Sequence, residues 1–353
     1  MAKTADEALG AFTITSAALV DDETFAFVAH ADETNEKWKG ADVLPARLVT
    51  FNLRTGNWGW KGYDGFTGGT VAGGRSVEGH KMALFTNNHR QVVAFHYKNG
   101  PNGEEPPIPA YPDGHFLSRM RFIGTRFYGV GFDFSVSRRN GPEDWEVLHA
   151  DPDGDQLTAI GGFSETDIYA AGREEMLLHF DGSEWTRQEL PYDAVEEAFR
   201  ASDLICAPDG VVYVCGQDGQ LLSGRAGESW RLVISMDEAP MSELTGMCWF
   251  RDQLFATSHS AIYRLVDEAW ELADFEGSEL QPVASGYLDA SENVMLAAGP
   301  FGAAIYDGDQ WTPIHGSYDD LDLLRIQLLD KLTEDLTDIR DAARQVAEGT
   351  SGD

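Results

Sequence analysis

Tryptophan returns along this chain at nearly constant intervals: Trp145, Trp185, Trp230, Trp270 and Trp311 are 40 to 45 residues apart, each just after a polar or Gly-rich turn. A fixed period of that length marks a repeat architecture whose unit is one four-stranded blade. The flanking strings repeat as well, most visibly DIYAAGREEMLLHFDGSEW ending at Trp185 and NVMLAAGPFGAAIYDGDQW ending at Trp311. Within the unit that ends near residue 190, four short apolar runs (157–163, 167–171, 176–180 and 185–190) are separated by Gly, Asp and Ser clusters, the pattern of strands joined by tight turns. The same order recurs over 116–147, 201–234, 244–275 and 282–314. Trp58 follows the turn RTGNW two periods before Trp145. The unit between them places strands at 69–75, 81–86 and 91–97, with GEEPPIPAYP in place of the tryptophan strand. Proline cannot donate to a ladder and belongs on an edge, and the outermost strand of a blade is such an edge. With a first unit starting at residue 11, the expectation is an all-β fold: a seven-bladed β-propeller of four-stranded antiparallel blades over 11–316, preceded by a flexible N-terminus, 1–10.

After His315 the period changes from two to helical. Leu321, Leu324, Leu328, Leu332, Leu336, Ile339, Ala343 and Val346 advance by three or four residues, which predicts a C-terminal amphipathic α-helix within 317–353 and a frayed tail. Its apolar stripe must be covered by the propeller wall, by a partner, or by a second copy in a homo-oligomer.

Bulk composition narrows the function classes. Hydrophobic residues make up 42% and aromatics 11%, enough for a packed core, and 37 glycines suit many tight turns. The formal net charge of −33 opposes contact with nucleic acid or anionic membrane and favours basic partners. Cys206, Cys215 and Cys248 cannot all pair; buried thiols in a reducing compartment are expected, although Cys206 and Cys215 sit on neighbouring strands where a bridge is conceivable. The N-terminus lacks the apolar run of an export signal, so the expected location is cytoplasmic.

The segment AGPFGAAIYDGDQW at 298–311 resembles bacterial propellers of the WD-repeat, YVTN and BNR-like group, and the turns DGSEW, NGPEDW and AGESW loosely resemble the Asp-box turn of sialidase-like proteins. The resemblance covers about six of the seven blades. It implies a propeller whose members include glycosidases, assembly factors of the photosystem II type and proteins encoded near bacterial toxins.

In a propeller, the loops from second to third strand and from one blade to the next emerge on one face, where ligands usually meet the fold. On this chain those loops carry Trp38, Arg90, Asp133, Arg173, Glu174, Asp218, His259 and Phe301, with Asp64, Asp151, Asp153, Asp155, Glu196, Glu197, Asp237, Glu238 and Glu276 on the blade-to-blade crossings. A sialidase-like site needs an arginine cluster and an activated tyrosine, and Arg90 with Arg173 do not make one. The nine histidines show no metal-ligand spacing, so no metal and no cofactor is expected. DPDGD at 151–155 lacks the rest of a calcium loop, GGTVAGG at 68–74 lacks the strand-to-helix context of a phosphate cradle and is expected to be a flexible crossing, and no serine sits in a nucleophile elbow. What remains is a wide acidic disk suited to a basic protein. The sharpest expectation is a non-enzymatic immunity protein that occludes a basic cognate toxin through Trp38, Arg90, Asp133, Arg173, Glu174, Asp218, His259, Phe301, Asp151, Asp153, Glu196 and Glu197. The alternatives are a glycan-active propeller enzyme, sialidase-like or lyase-type, and an oligomeric scaffold assembled through the C-terminal helix.

Overall fold

A computed structural model describes residues 4–31, 38, 41–76, 78–97, 103–108, 117–142, 144–191, 199–241, 243–258, 261–275, 286–300 and 302–316. Twenty-eight strands form seven four-stranded antiparallel sheets, and within every sheet the strands pair in chain order. The chain is a seven-bladed β-propeller. The inner strands of successive blades lie side by side, and the seventh, Tyr287–Ala290, returns to the first, Phe12–Asp21. The expected C-terminal helix lies outside the described residues.

Each repeated tryptophan fills the wedge between its own blade and the one before. Trp145 of the third blade packs with Met82 and Leu84 of the second, Trp230 of the fifth packs with Tyr169 of the fourth, and Trp270 of the sixth packs with Cys215 and Leu221 of the fifth. The Trp270 indole N–H also donates to Gly219 O at 3.1 Å across that boundary. Adjacent blades diverge outward, and a large flat side chain at the start of the outer strand suits the gap this leaves. The aspartates of the preceding turns serve geometry. Asp181 Oδ1 accepts from the Ser183 and Glu184 amides and the Ser183 hydroxyl, and Asp307 Oδ1 accepts from the Asp309 and Gln310 amides. The Ser183 hydroxyl, followed by those amides, holds the Asp181 carboxyl down at about 2.

The second blade replaces the tryptophan in two ways. Phe66, at the crossing into it, and Phe85 fill the wedge toward the first blade, with Phe95 and Tyr97 packed against them. Its outer strand shrinks to Gly103–Glu105 and stops where the prolines begin. That short strand is fixed by Glu105, which accepts from Arg139 of the third blade at 2.9 and 2.6 Å; the two side chains are 8% and 4% exposed.

The structure corrects two sequence expectations. The strand expected at 69–75 forms as the inner strand Thr70–Arg75, so the flexible crossing expected at 68–74 gives way to it, and a Cβ on Gly73 would meet the carbonyl oxygen of Leu19 at 1.8 Å. The glycine there admits a neighbouring backbone and supplies no flexibility. The flexible N-terminus is a short helix, Ala5–Leu9, closed by a capping box between Thr4 and Glu7. Leu9 is 1% exposed. Beyond the helix, Arg47 lies between the rings of Phe12 and Trp60, 4.0 and 4.1 Å from their centroids, and donates to the Glu7 and Ala8 carbonyls at 2.5 and 2.8 Å.

Candidate protein-binding face and central channel

Antiparallel pairing sends the second-to-third loops and the blade-to-blade crossings to one end of every sheet, here termed the crossover face; the remaining turns form the opposite face. Of the residues expected to meet a partner, the described ones on the crossover face have different parts. Asp133, Glu174 and Asp218 are equivalent: each opens a left-handed pair in its second-to-third loop, with φ of 57°, 55° and 69° followed by Phe134, Glu175 and Gly219, whereas Arg90, with φ of 63°, stands at the second position of that pair. Asp tolerates that conformation better than most side chains, so turn geometry accounts for part of the acidic character of these loops. Arg173, Glu174, Asp218, Asp151 and Asp153 are exposed, while Arg90 and Asp133 are half-buried. In the DPDGD turn Asp151 Oδ1 accepts from the Asp153 amide at 3.1 Å, and its backbone amide donates to Asp133 O at 2.7 Å, tying the crossing to the neighbouring loop. His259, Phe301, Glu196 and Glu197 lie outside the described residues.

Trp38 packs partly into the protein. It is half-buried, and its ring meets Phe12 edge-on at a centroid distance of 6.1 Å, joining the cluster that covers the N-terminal helix. Its place in a polar insertion suggested an exposed contact, but the aromatic shelf formed by Phe12 was not visible in a local window. Trp249, on the inner strand Gly246–Phe250, is half-buried and lines the channel, stacked on Tyr213 at 6.2 Å.

Acidic turns occur on both faces, so charge count alone does not select one. Compensation separates them. On the opposite face the cations staple neighbouring blades: Lys81 to Asp21, Arg126 to Glu165, Arg225 to Asp167 and Arg231 to Glu268, with Arg54–Glu23 within the first blade. Among the described residues, the crossover-face loops hold one ion pair, Arg173–Asp155 at 3.9 Å. Exposed pairs add little stability, yet they set the sign of the local field. The described acids of the crossover-face loops thus make fewer ion pairs with described cations than those of the opposite face.

The centre of the ring holds charges that the sequence reading passed over. Arg119 and Arg121, on the third blade's inner strand Leu117–Ile123, reach across the channel to Asp203 of the fifth blade at 3.6 and 3.3 Å, and Arg121 also reaches Asp289 of the seventh at 3.5 Å. Asp203 is 0% exposed and accepts further from the Leu204 and Met247 amides, both at 2.9 Å. Asp289 accepts from the Leu19 and Ala290 amides at 2.8 and 3.0 Å. Burial pushes the Asp289 carboxyl up, against the pull of Arg121 and those amides. The network joins the third blade to the fifth and seventh, and the aspartates extend it to the sixth and first. It separates two cavities: about 390 Å³ opening to the crossover face, and about 630 Å³ toward the opposite face with Trp249, Arg251 and Asp252 in its wall. The available signal was a charged residue on an inner strand, in LSRMRFI, ASDLIC and YLDA.

The arrangement is that of a rigid disk with a plugged centre and an acidic loop face. No protein-family model matches this chain. A curated relative does: immune protein Tsi7 of Pseudomonas aeruginosa is 34% identical over 194 residues, 53% of this chain. The chain is similar to an immune protein. The match spans 60% of that relative's length. Among solved structures, the WD40 β-propeller domain of Doa1 superposes with a TM-score of 0.55 at 12% identity, covering 82% of this chain and 90% of that one. The extracellular domain of BT3049 from B. thetaiotaomicron gives 0.59 at 10% identity, over 85% and 40%. At those identities the structural neighbours speak to the fold alone.

The disposition of the three cysteines matches the thiol reading. Cys206, Cys215 and Cys248 are free; Cys215 and Cys248 are buried, and burial pushes all three thiols up. Histidines supply a pH dependence. Burial lowers the pKa of His30, whose ring accepts from the Thr15 hydroxyl at 2.7 Å and donates to Phe66 O at 2.7 Å, and also of His149 and His315. An unfolded chain takes up these protons near the ordinary histidine pKa, whereas the folded chain resists them, so stability is full above that pKa and declines as pH falls below it. The melting temperature is expected to fall between pH 7.5 and pH 5.5, and a His315→Gln variant to show a shallower decline. A flat profile over that interval would contradict the assignment.

Proposed function

We propose that this chain is a cytoplasmic immunity protein without a reaction of its own, which binds a cognate toxin through the crossover face and covers the surface the toxin needs. The similarity to immune protein Tsi7 carries this reading. The acidic loops of the crossover face support a basic partner, because fixed negative charge speeds encounter with a positive body and sets its orientation. A rigid scaffold lowers the entropic cost of docking.

The test is to produce the chain together with a toxin encoded beside it and to measure both growth rescue and complex formation. Reversing Asp151, Asp153, Asp237 and Glu238 together to lysine is expected to weaken the complex at least tenfold and abolish rescue. Reversing Asp209 and Asp252 on the opposite face should leave both near wild type. Rescue without a complex, or equal loss from the two sets, would remove the reading.

A further inference from the structure

We infer that the cup at the crossover-face mouth of the channel is a carboxylate-binding site with Arg119 at its base. The cavity, about 390 Å³, is lined by Thr13, Thr15, Ser16, Thr70, Ser118, Thr158, Thr245, Tyr287 and Arg119 among others, and no carboxylate is among its described lining residues. Several of the hydroxyls are committed to the protein: Thr15 to His30, Thr158 to Ala201 O and Thr245 to Thr257 O. Thr13 and Tyr287 carry no side-chain hydrogen bond to another described residue, which leaves both hydroxyls to a ligand.

The guanidinium is the least satisfied group of the central network. Its Nη2 makes long contacts, 3.4 Å to Ser202 O, 3.4 Å to Thr245 O and 3.6 Å to Asp203. Asp203 is shared with Arg121 at the shorter distance of 3.3 Å. Nε and Nη1 of Arg119 have no acceptor among the described residues, although the side chain is only 16% exposed. A guanidinium presents its donors as a planar fork that matches the two oxygens of a carboxylate. Tyr287 and Arg119 line the same cavity, so the tyrosine hydroxyl can donate to the same anion. The cup thus holds a cation among the acidic loops around it. A ligand of mixed character, a carboxylate carried on a basic or neutral body, suits both the acidic loops and the positive base.

The proposal stands apart from the immunity reading, because the experiment uses this chain alone. Titration calorimetry at low ionic strength would compare citrate, a short neutral peptide with a free C-terminal carboxylate, and the same peptide amidated. At least one carboxylate probe is expected to bind, with the amidated peptide at least tenfold weaker than its free acid. Arg119→Gln should weaken binding at least tenfold. Tyr287→Phe, which leaves the ion network intact, should weaken it two- to fivefold and keeps the test valid if the arginine variant does not fold. Tighter binding of citrate would assign the site to a free small carboxylate, and tighter binding of the free-acid peptide would assign it to a chain terminus. Absence of binding by both probes, or equal binding by wild type and Tyr287→Phe, would overturn the proposal.

Discussion

Alanine at Asp203 is expected to cost about 3–5 kcal/mol of unfolding free energy, because it removes the carboxylate that Arg119 approaches and leaves Arg121 with Asp289 alone. Two guanidiniums share this carboxylate, and the Leu204 and Met247 amides would lose their acceptor with it. Water cannot readily replace it, since Asp203 has no exposed surface. Asp289→Asn is the informative contrast. Burial already opposes the ionised form of Asp289, and although the Leu19 and Ala290 amides donate to different carboxylate oxygens, so that an asparagine keeps only one of the two bonds, its loss should be smaller. Urea unfolding of both variants decides the matter: a cost below about 1 kcal/mol for Asp203→Ala would mean that the network contributes little to stability.

The second large effect is expected at Trp270. Truncation to alanine should destabilise by about 3–5 kcal/mol through the cavity left between the fifth and sixth blades. The indole is 5% exposed, within a cluster built from both blades. Trp270→Phe separates packing from hydrogen bonding. It retains much of the buried area, loses the bond to Gly219 O at a cost of about 1 kcal/mol, and leaves a smaller cavity than alanine does. Trp185, half-exposed and stacked on Phe180, should lose less on truncation than Trp270. A ranking in which exposure made no difference would break the wedge interpretation.

The architecture was legible because it is periodic. Every blade announces itself by an alternating inner strand and a turn before an aromatic, and even the second blade, with prolines where tryptophan is expected, kept its first three strands in recognisable positions. The half-burial of Trp38 was not legible for the opposite reason: the shelf it packs on is built by Phe12, 26 residues away in sequence. The central network was harder still. Arg119, Arg121, Asp203 and Asp289 are separated by up to 170 residues, and a single charged side chain within a strand looks like a solvent-facing position until closure of the ring brings three blades to one axis. The acidic loops were read correctly as acidic, but their distribution between faces depends on which cations reach them, and that is decided by turns on neighbouring blades.

The boundary between the last blade and the first has a distinctive construction. Each sheet is made from consecutive strands, so no strand of one end of the propeller is woven into the sheet of the other. The join is made by side chains and one short helix: Leu19 N to Asp289, Asn293 to Asp22, the apolar cluster shared by Phe25 and Leu296, and the helix lodged against the final outer strand Trp311–His315. Topologically the molecule is a chain of beads fastened by a clasp. A clasp can be undone without unpicking a single bead, so the first opening available to this fold is a gap in the circle, with every sheet still intact on either side of it.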